Sequence, residues 1–457
     1  MSYKPRTFTN LSFSIFLFFV LFVLLSGNNL SAESITLEEI RVLALANSQS
    51  LVKHNLSIRS TVLDERSRIF SNLPSFSLGA SASMSLWSAE GAAPIENPID
   101  TLSSGASASA SMRIFEGGRT LIQKSINSIA SESARNEALS EYFNVLDSTD
   151  NAYYAVLEAA ATLEAEESSL QTSIISLSIA EIRQANGMIS AGEYLRALAE
   201  KEGRENSRNQ ARRNLALSIT RLRAIAGLPE LPALEPIDFS GYEELIQYLG
   251  NINDDQSDSL YGQFWRLLVA ANPSLSRAAL ANQRAERNLS MARTGFSPSL
   301  GASVSTGLNF QGDDGVQYSG GRLSLSASIP VDFWTIANNV QRSRLALDST
   351  VQDYISAESN LETELQSALL NTFSFAGSVL STRRSLEYTE RHFEYVMARY
   401  RLTQSSVSEL EEATTLLINS RNNNIRMNYG FLQSLSRLRS LLAIDDEERL
   451  VRLLLGN

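Results

Sequence analysis

The chain contains no cysteine and only two histidines, His54 and His392. The absence of cysteine excludes disulfides, zinc-thiolate sites and a thiol nucleophile. Two histidines on separate helical stretches do not form a metal cluster or a catalytic triad. The sequence therefore predicts no catalytic residue, no metal site and no bound cofactor, and we do not expect an enzyme.

Positive charge is also scarce. The 457 residues carry 39 lysines and arginines against 50 aspartates and glutamates, which gives a formal net charge of -11. A surface of this sign repels a phosphate backbone instead of neutralising it. Nucleic acid is therefore not an expected partner.

A long apolar run occurs only once, near the start of the sequence. Lys4 and Arg6 precede the apolar run 11–25, and small polar residues follow it up to Ala32. The run is about 15 residues long, short of the roughly 20 that cross a bilayer as a helix, so the pattern predicts a secretory signal peptide at 1–32. An uncleaved anchor is the alternative, because Leu30 fits the cleavage pattern imperfectly. We expect an exported protein that crosses a membrane only as β-strands.

Four segments alternate apolar and small polar residues with a period of two. They are PSFSLGASASMSLW, GASASASMRIF, SLGASVSTGLNF and RLSLSASIPV. Each alternating run has about 8 to 12 residues, close to the 9 to 11 that a tilted strand needs to cross a bilayer with one face toward lipid. A soluble β-sandwich with one solvated face is the alternative. Four strands cannot close a barrel, so a membrane barrel would need several copies of the chain.

Between and after the strand pairs the apolar period becomes helical. Residues 119–186 contain no proline and carry apolar residues on a heptad seam, which predicts a helix on the order of 100 Å long. Gly187 interrupts this helix, and Ser190 begins a returning helix that continues to Gly227. The segment 201–210 has no apolar side chain, so we expect water on both sides of the helix there.

The second half of the chain repeats the first. Residues 183–223 align with 399–439 at a constant offset of 216, and nine of these 41 positions are identical, among them Arg183/Arg399 and Glu193/Glu409. The predicted organisation is a first repeat at 33–228 with a strand pair at about 75–115 and a helical tip near 187–193, a connector at 229–260, and a second repeat at 261–457 with a strand pair at about 298–331, a tip near 402–409 and a short C-terminal tail helix.

The order and spacing of these pieces resemble the TolC-type outer-membrane efflux channel family (outer membrane factors). The pieces that carry the resemblance are LPSFSLGA, IFEGGR, AYYAVL, RQANGMISAGEYLRALA and ARYRLTQSSVSELEEA. The resemblance implies an internally duplicated α+β fold. In it, three chains give four strands each to a 12-stranded β-barrel in outer-membrane lipid, and long helical hairpins to an α-barrel that extends into the periplasm.

The resemblance also implies a function and its partners. Members of the family act as passive exit ducts of tripartite efflux or type I secretion systems, together with a periplasmic adaptor protein and an inner-membrane pump. The alternative function is an exported structural coiled-coil protein with a small β-domain and no transport role. The paired amphipathic strands favour the duct, because a coiled-coil spacer has no need of strands of membrane length.

Family members place carboxylates near the periplasmic constriction at the positions of Glu193, Glu409 and Glu412, and an aromatic residue at the position of Tyr400. Glu409 and Glu412 share a helix face, so in a symmetric trimer they would form rings of negative charge. A structural alternative remains open for two of these carboxylates. Both tips contain an S-x-x-E capping box, formed by Ser190 with Glu193 and by Ser406 with Glu409.

The tips are also the expected contacts of the adaptor. The candidate residues are Gly187, Met188, Ile189, Ser190, Thr403, Gln404, Ser405 and Ser406. Thr403 replaces the tip glycine, so we expect the second tip to be wider or to end its helix differently. The family's latch uses an arginine at the position of Ser405, so a latch in this chain needs another donor, for which the candidates are Arg399, Arg401 and Arg196.

Overall fold

The computed structural model describes residues 34–70, 73–84, 103–311 and 316–456. The predicted signal peptide lies outside these residues. Within the described ranges, no helix is both long enough and apolar enough to cross a membrane.

Ten helices and four strands make up the described part of the chain. In chain order they are α1 Leu37–Asn47, α2 Gln49–Phe70, β1 Ser75–Ser83, β2 Ser103–Phe115, α3 Arg119–Ala185, α4 Ala191–Ala226, α5 Glu243–Gly250, α6 Asp254–Ala271, α7 Pro273–Arg293, β3 Ser299–Gln311, β4 Val316–Ser328, α8 Phe333–Arg401, α9 Val407–Leu441 and α10 Glu447–Leu454. Long helices with one small sheet confirm the predicted α+β fold class.

The four strands form one antiparallel sheet in the order β1-β2-β3-β4. Alternation places apolar residues opposite one another, as in the pairs Leu78 with Ala108 and Leu325 with Ala302. On the other face serine hydroxyls bridge β1 and β2, including Ser77 with Ser109 at 2.6 Å. The apolar side chains are exposed in the single chain, and Leu325 is 76% exposed. The sheet therefore has one apolar and one polar face, as predicted from the sequence.

The two long helices dominate the molecule. Helices α3 and α8 have 67 and 69 residues, which corresponds to about 100 Å each. Each ends at a tip from which α4 or α9 returns alongside it. The polar segment 201–210 of α4 contains no buried residue, and an ion pair between Lys201 and Glu205 lies along its surface. This burial pattern agrees with a helix that is wetted around most of its circumference.

The largest hydrophobic cluster lies where α1 meets α3 to α10. The connector contributes Leu245, Ile246 and Leu249, all fully buried. Gly250 allows close packing on α8, because a Cβ atom there would lie 2.7 Å from the Leu380 side chain. The C-terminal tail forms α10, as expected, and packs into the same cluster. The residue boundaries of the two repeats and the connector stay a prediction.

Candidate functional site

The first tip lies between α3 and α4. Gly187 adopts φ +69, and the amide of Met188 donates to the carbonyl of Arg183 at 2.8 Å. This hydrogen bond and the left-handed glycine satisfy carbonyls at the end of α3. Helix α4 then begins with a complete capping box. The Glu193 amide donates to Ser190 Oγ at 3.2 Å, and the Ser190 amide donates to the Glu193 carboxylate at 3.1 Å.

The second tip has the same backbone geometry. Thr403 adopts φ +62, and the amide of Gln404 donates to the carbonyl of Arg399 at 2.9 Å. The expectation that this tip is wider or ends its helix differently is therefore wrong. The hydrogen bonds of the turn, including that from the Arg399 guanidinium to the Gln404 carbonyl at 2.7 Å, hold Thr403 in a conformation that its side chain disfavours.

The capping box at the second tip is only half formed. Ser406 Oγ accepts from the Glu409 amide at 3.1 Å, as predicted. The Glu409 carboxylate, however, accepts its hydrogen bond from the Ser405 hydroxyl, and the Ser406 amide makes only a weaker interaction with it. The Ser405 hydroxyl is the main cause that lowers the pKa of Glu409. Glu409 therefore stays ionised and is tied to the turn that precedes its own helix.

An apolar cluster joins the two tips within one chain. The tip cluster consists of Ala180, Ala197, Val396, Met397, Tyr400, Val407, Leu410 and Ala413, contributed by α3, α4, α8 and α9. Tyr400 is fully buried in it and donates through its hydroxyl to the Ser176 carbonyl at 3.2 Å. In this structure Tyr400 therefore packs inside its own chain, and its role in a gate stays a prediction.

Arg183 is the main polar link between the tips, and the sequence analysis did not single it out for this role. Its guanidinium lies 4.2 Å from the centre of the Tyr400 ring and donates to the carbonyl of Tyr400. A guanidinium at this distance over an aromatic face makes a favourable cation–π contact. The only sequence signal was the identity of Arg183 and Arg399 in the duplication, which does not reveal a partner.

Of the three arginines considered as latch donors, Arg196 connects the two hairpins. It donates to the Glu411 carboxylate and to Ser408 Oγ, both at 2.8 Å. Arg399 stays within its own tip, as described above. The Arg401 side chain has no hydrogen bond or ion pair within the described residues.

The remaining tip candidates are largely exposed. Glu412 is exposed and has no partner in the described part of the chain. Met188 is 66% exposed, and Leu402, which precedes Thr403 at the second tip, is also 66% exposed. Gly187, Ser190, Thr403, Gln404 and Ser406 are exposed and Ile189 is half-buried, whereas Ser405 is buried.

A buried charge network lies far from the tips, at the level of the main core. Asp150 of α3 is fully buried and binds Arg41 of α1 at 2.6 Å and Arg439 of α9 at 2.7 Å. Burial opposes the charge of Arg41, but the hydrogen bond and the charge of Asp150 outweigh it and raise the pKa of Arg41. Glu447 extends the network to the connector, where it accepts from the Tyr242 hydroxyl at 2.6 Å.

A family model described as outer membrane efflux protein matches residues 40–228 and 266–443. The chain belongs to the outer membrane efflux protein family. Both matched segments contain a strand pair and a tip, so the match covers the elements described above. Membership in this family indicates an outer-membrane location.

Similar proteins of known sequence or structure agree with this family. Outer membrane protein TolC of Escherichia coli (strain K12) is 22% identical over 321 residues, which cover 67% of this chain and 62% of that protein. The chain thus spans less than two thirds of that relative's length. The Campylobacter jejuni CmeC outer membrane channel has a TM-score of 0.74 at 16% identity, over 93% of this chain and 92% of that chain.

CusC gives the same TM-score of 0.74 at 16% identity, over 89% of this chain and 91% of its own. At these identities the solved structures show that the fold is shared. CmeC is an outer membrane channel, and the CusC structures concern transmembrane channel formation.

Proposed function

We propose that three copies of this chain form a passive exit duct through the outer membrane. The observation that carries the proposal is the sheet. Its apolar face is exposed, and the outer edges of β1 and β4 have no strand partner within the described residues. Open edges are unstable in lipid, where every backbone polar group must be paired. Three copies would supply 12 strands and close the edges into a β-barrel.

The long helices continue the duct into the periplasm and carry its gate. Glu193, Glu409 and Glu412 lie at or near the tips, and the pKa of Glu409 is lowered, so its negative charge persists in a narrow entrance. Rings of like charge at a constriction favour cations and resist close approach of the chains. Tyr400 supports this gate from inside the tip cluster.

The exposed tip residues form the surface for a periplasmic adaptor protein. Met188 and Leu402 expose apolar side chains at the two tips, beside the polar residues Ser190, Gln404 and Ser406. Exposed apolar groups with a polar rim are typical of protein contacts. Docking of the adaptor opens the gate, and an inner-membrane pump supplies the energy of transport.

The experiment that tests this function is a planar-bilayer recording on the purified full chain, together with its mass in detergent. A trimeric mass with discrete, cation-selective conductance steps is the expected result. A stable monomer that needs no detergent and conducts nothing would support the alternative, an exported structural coiled-coil protein.

A further inference from the structure

A groove with an apolar floor lies across three helices near the sheet. It is lined by residues of α3, α7 and α8 and has a volume of about 480 Å³. Ile129 of α3 and Leu280 and Ala285 of α7 line it and are each less than a tenth exposed. The small residues Ala281 and Ala346 also line it, so side chains do not fill the space. The groove can therefore accept the apolar part of a small molecule.

Two arginines, Arg284 of α7 and Arg342 of α8, line the same groove. Both are exposed, and neither side chain has a hydrogen bond or ion pair in the part of the chain that the structure describes. No carboxylate stands three or four residues from either arginine, so neither helix offers a partner along its own surface. By contrast, Arg277, two turns from Arg284 on the same face of α7, lies 4.0 Å from Glu137 of α3. The positive charge of the two groove arginines is thus uncompensated within the described residues.

The two arginines lie at one level along the molecule. Arg284 stands nine residues before Arg293, the last residue of α7. Arg342 stands nine residues after Phe333, the first residue of α8. Nine residues correspond to about 14 Å of helix. Because these two helix ends adjoin β3 and β4, both charges lie at about the same distance from the sheet.

Phe333 marks the outer side of α8. Its ring stacks on that of Phe296, which lies just before β3, and the ring centres are 6.5 Å apart. Both rings are about half exposed, and exposed aromatic residues at the ends of membrane strands belong to the lipid-facing surface. The nine residues from Phe333 to Arg342 turn the helix by about 180° beyond two full turns. Arg342 therefore faces the opposite side, which is the lumen of the proposed duct.

The connector gives a second mark of the outer side. The Tyr261 hydroxyl of α6 donates to the Glu362 carboxylate of α8 at 3.0 Å. A segment that covers the long helices lies outside them, because the lumen has to stay open. Arg342 precedes Glu362 by 20 residues, about 200° around the helix, whereas Arg344 precedes it by 18 residues, which is five whole turns. The groove thus opens inward, and Arg344 lies on the outer side at nearly the same level.

We propose that this groove binds organic anions with an apolar body as they pass through the duct. The proposal rests on the proposed trimeric duct, which makes this side of the helices the inner wall. A guanidinium can donate two parallel hydrogen bonds to a carboxylate, sulfonate or phosphate group, so Arg284 and Arg342 suit the charged head of such a molecule. The floor formed by Ile129 and Leu280 suits its apolar body. The groove thereby assigns a chemical class of cargo to the duct.

The arginines act separately from the tip carboxylates. Two groove arginines per chain would give six at one level of a trimer, and rings of arginine favour anions. Arg342 and Tyr400 are 58 residues apart on α8, which is about 85 Å. Charges in water are screened over about 8 Å at physiological ionic strength. A positive groove near the sheet is therefore compatible with a negative entrance at the tips.

Binding can be measured without conduction, by equilibrium dialysis of naphthalene-2-sulfonate against the purified full chain in a non-ionic detergent, with protein-free detergent as the reference. We expect saturable binding that becomes at least tenfold weaker when Arg284→Gln and Arg342→Gln are combined. Lysine at both positions keeps the charge and should retain most of the binding. Arg344→Gln is the matched control, because it removes a charge from the outer side of α8. An equal loss of binding in Arg344→Gln would overturn the assignment to the groove.

Two further probes separate the charged head from the apolar body. Methanesulfonate has the anionic head without the rings, and naphthalene-2-sulfonamide has the rings without the negative charge. Both should bind at least tenfold more weakly than naphthalene-2-sulfonate. Equally tight binding of methanesulfonate would overturn the role of the apolar floor. Equally tight binding of naphthalene-2-sulfonamide would overturn the role of the arginines.

A planar-bilayer recording separates the groove from the duct. Naphthalene-2-sulfonate should reduce the single-channel conductance of the unmodified chain in a concentration-dependent way, and Arg284→Gln with Arg342→Gln should remove this block. Both arginines are exposed, so the variant should keep its trimeric mass in detergent. Conductance without binding or block overturns the groove and leaves the proposed duct standing. Binding by a chain that forms no trimer and conducts nothing overturns the duct, and with it the inference that the bound anion is cargo.

Discussion

At the scale of single residues, Thr403 holds a conformation that suits glycine. A left-handed backbone costs an L-residue roughly 1–2 kcal/mol, and β-branching adds crowding. We expect Thr403→Gly to stabilise the second tip by about 1 kcal/mol, because the turn already has the geometry of the Gly187 turn. Hydrogen exchange of the Gln404 amide measures this local stability. The reverse substitution, Gly187→Thr, should destabilise the first tip, because it places an L-residue in the same left-handed conformation. We therefore expect faster hydrogen exchange of the Met188 amide.

Glu409 makes the second tip sensitive to acid. Its pKa is lowered in the folded chain, so its contribution to stability is present above its ordinary pKa of about 4.3 and is lost as the pH falls through the lowered value. We expect the protection factors of amides at the start of α9, which correct exchange rates for the intrinsic effect of pH, to be constant above this range and to fall below it. Ser405→Ala removes the hydroxyl donor and should shift this loss of protection to higher pH. An unchanged profile would contradict the role of Ser405.

Glu412 distinguishes a gate from a helix cap. It lies outside the capping box, is exposed and has no partner within the described residues. If it lines the constriction, Glu412→Gln removes one charge per copy and cation selectivity should fall. Glu409→Gln is the comparison, because it alters both charge and the contact with Ser405. Unchanged selectivity of Glu412→Gln in a planar bilayer would leave the tip carboxylates as structural residues.

At the scale of elements, the strands permit a matched pair of substitutions. Leu325 lies on the apolar face of β4, and Ser324 lies on the polar face beside it. Arg in place of Leu325 should cost roughly 2–4 kcal/mol near the membrane midplane, whereas Arg in place of Ser324 should be tolerated. The amount of heat-resistant assembled protein in outer-membrane fractions measures this difference. Equal losses for both variants would contradict the assignment of the apolar face to lipid.

The periodicity of the sequence predicted the elements well, because each element depends on residues close in sequence. The period of two in SLGASVS and the absence of proline over 119–186 were sufficient for the strands and for α3. The geometry at Thr403 was not predictable in this way. The propensity of threonine indicated a different turn, but the hydrogen bonds of the turn, which include Arg399 with the Gln404 carbonyl, outweigh about 1–2 kcal/mol of backbone preference.

Contacts between distant segments were not predictable from the sequence, because periodicity reports only on residues that are close in sequence. Arg183 and Tyr400 are separated by 217 residues, and Asp150 and Arg439 by 289. A single sequence contains no signal that pairs such residues, even where the duplication marks Arg183 and Arg439 as repeated. The interpretation of the tips as capping boxes succeeded for Glu193 and only partly for Glu409, since a local motif does not predict which neighbouring donor a carboxylate selects.

At the scale of the whole molecule, the charges around Asp150 join parts of the chain that are far apart in sequence. Arg41 comes from α1, Arg439 from α9 and Glu447 from α10. Asp150 is also bound by Ser436 of α9 at 2.7 Å. The carboxylate thus has donors for both oxygens, which is the condition for tolerating a buried charge. It lies in the main core, where the helices of both repeats meet.

Removing the charge of Asp150 tests how much the buried network stabilises the fold. Asp150→Asn keeps the size of the side chain but leaves two buried guanidinium groups without their shared carboxylate, so we expect the free energy of unfolding to fall by roughly 3–5 kcal/mol. Asp147→Asn is the control, one turn away on α3. Asp147 lies 3.7 Å from the half-exposed Arg437. Burial raises the pKa of the Asp147 carboxyl, which shows that its charge is only partly compensated, so removing that charge should cost about 1 kcal/mol or less. Denaturant midpoints in detergent compare the two variants, and similar midpoints would show that the Asp150 network does not hold the repeats together.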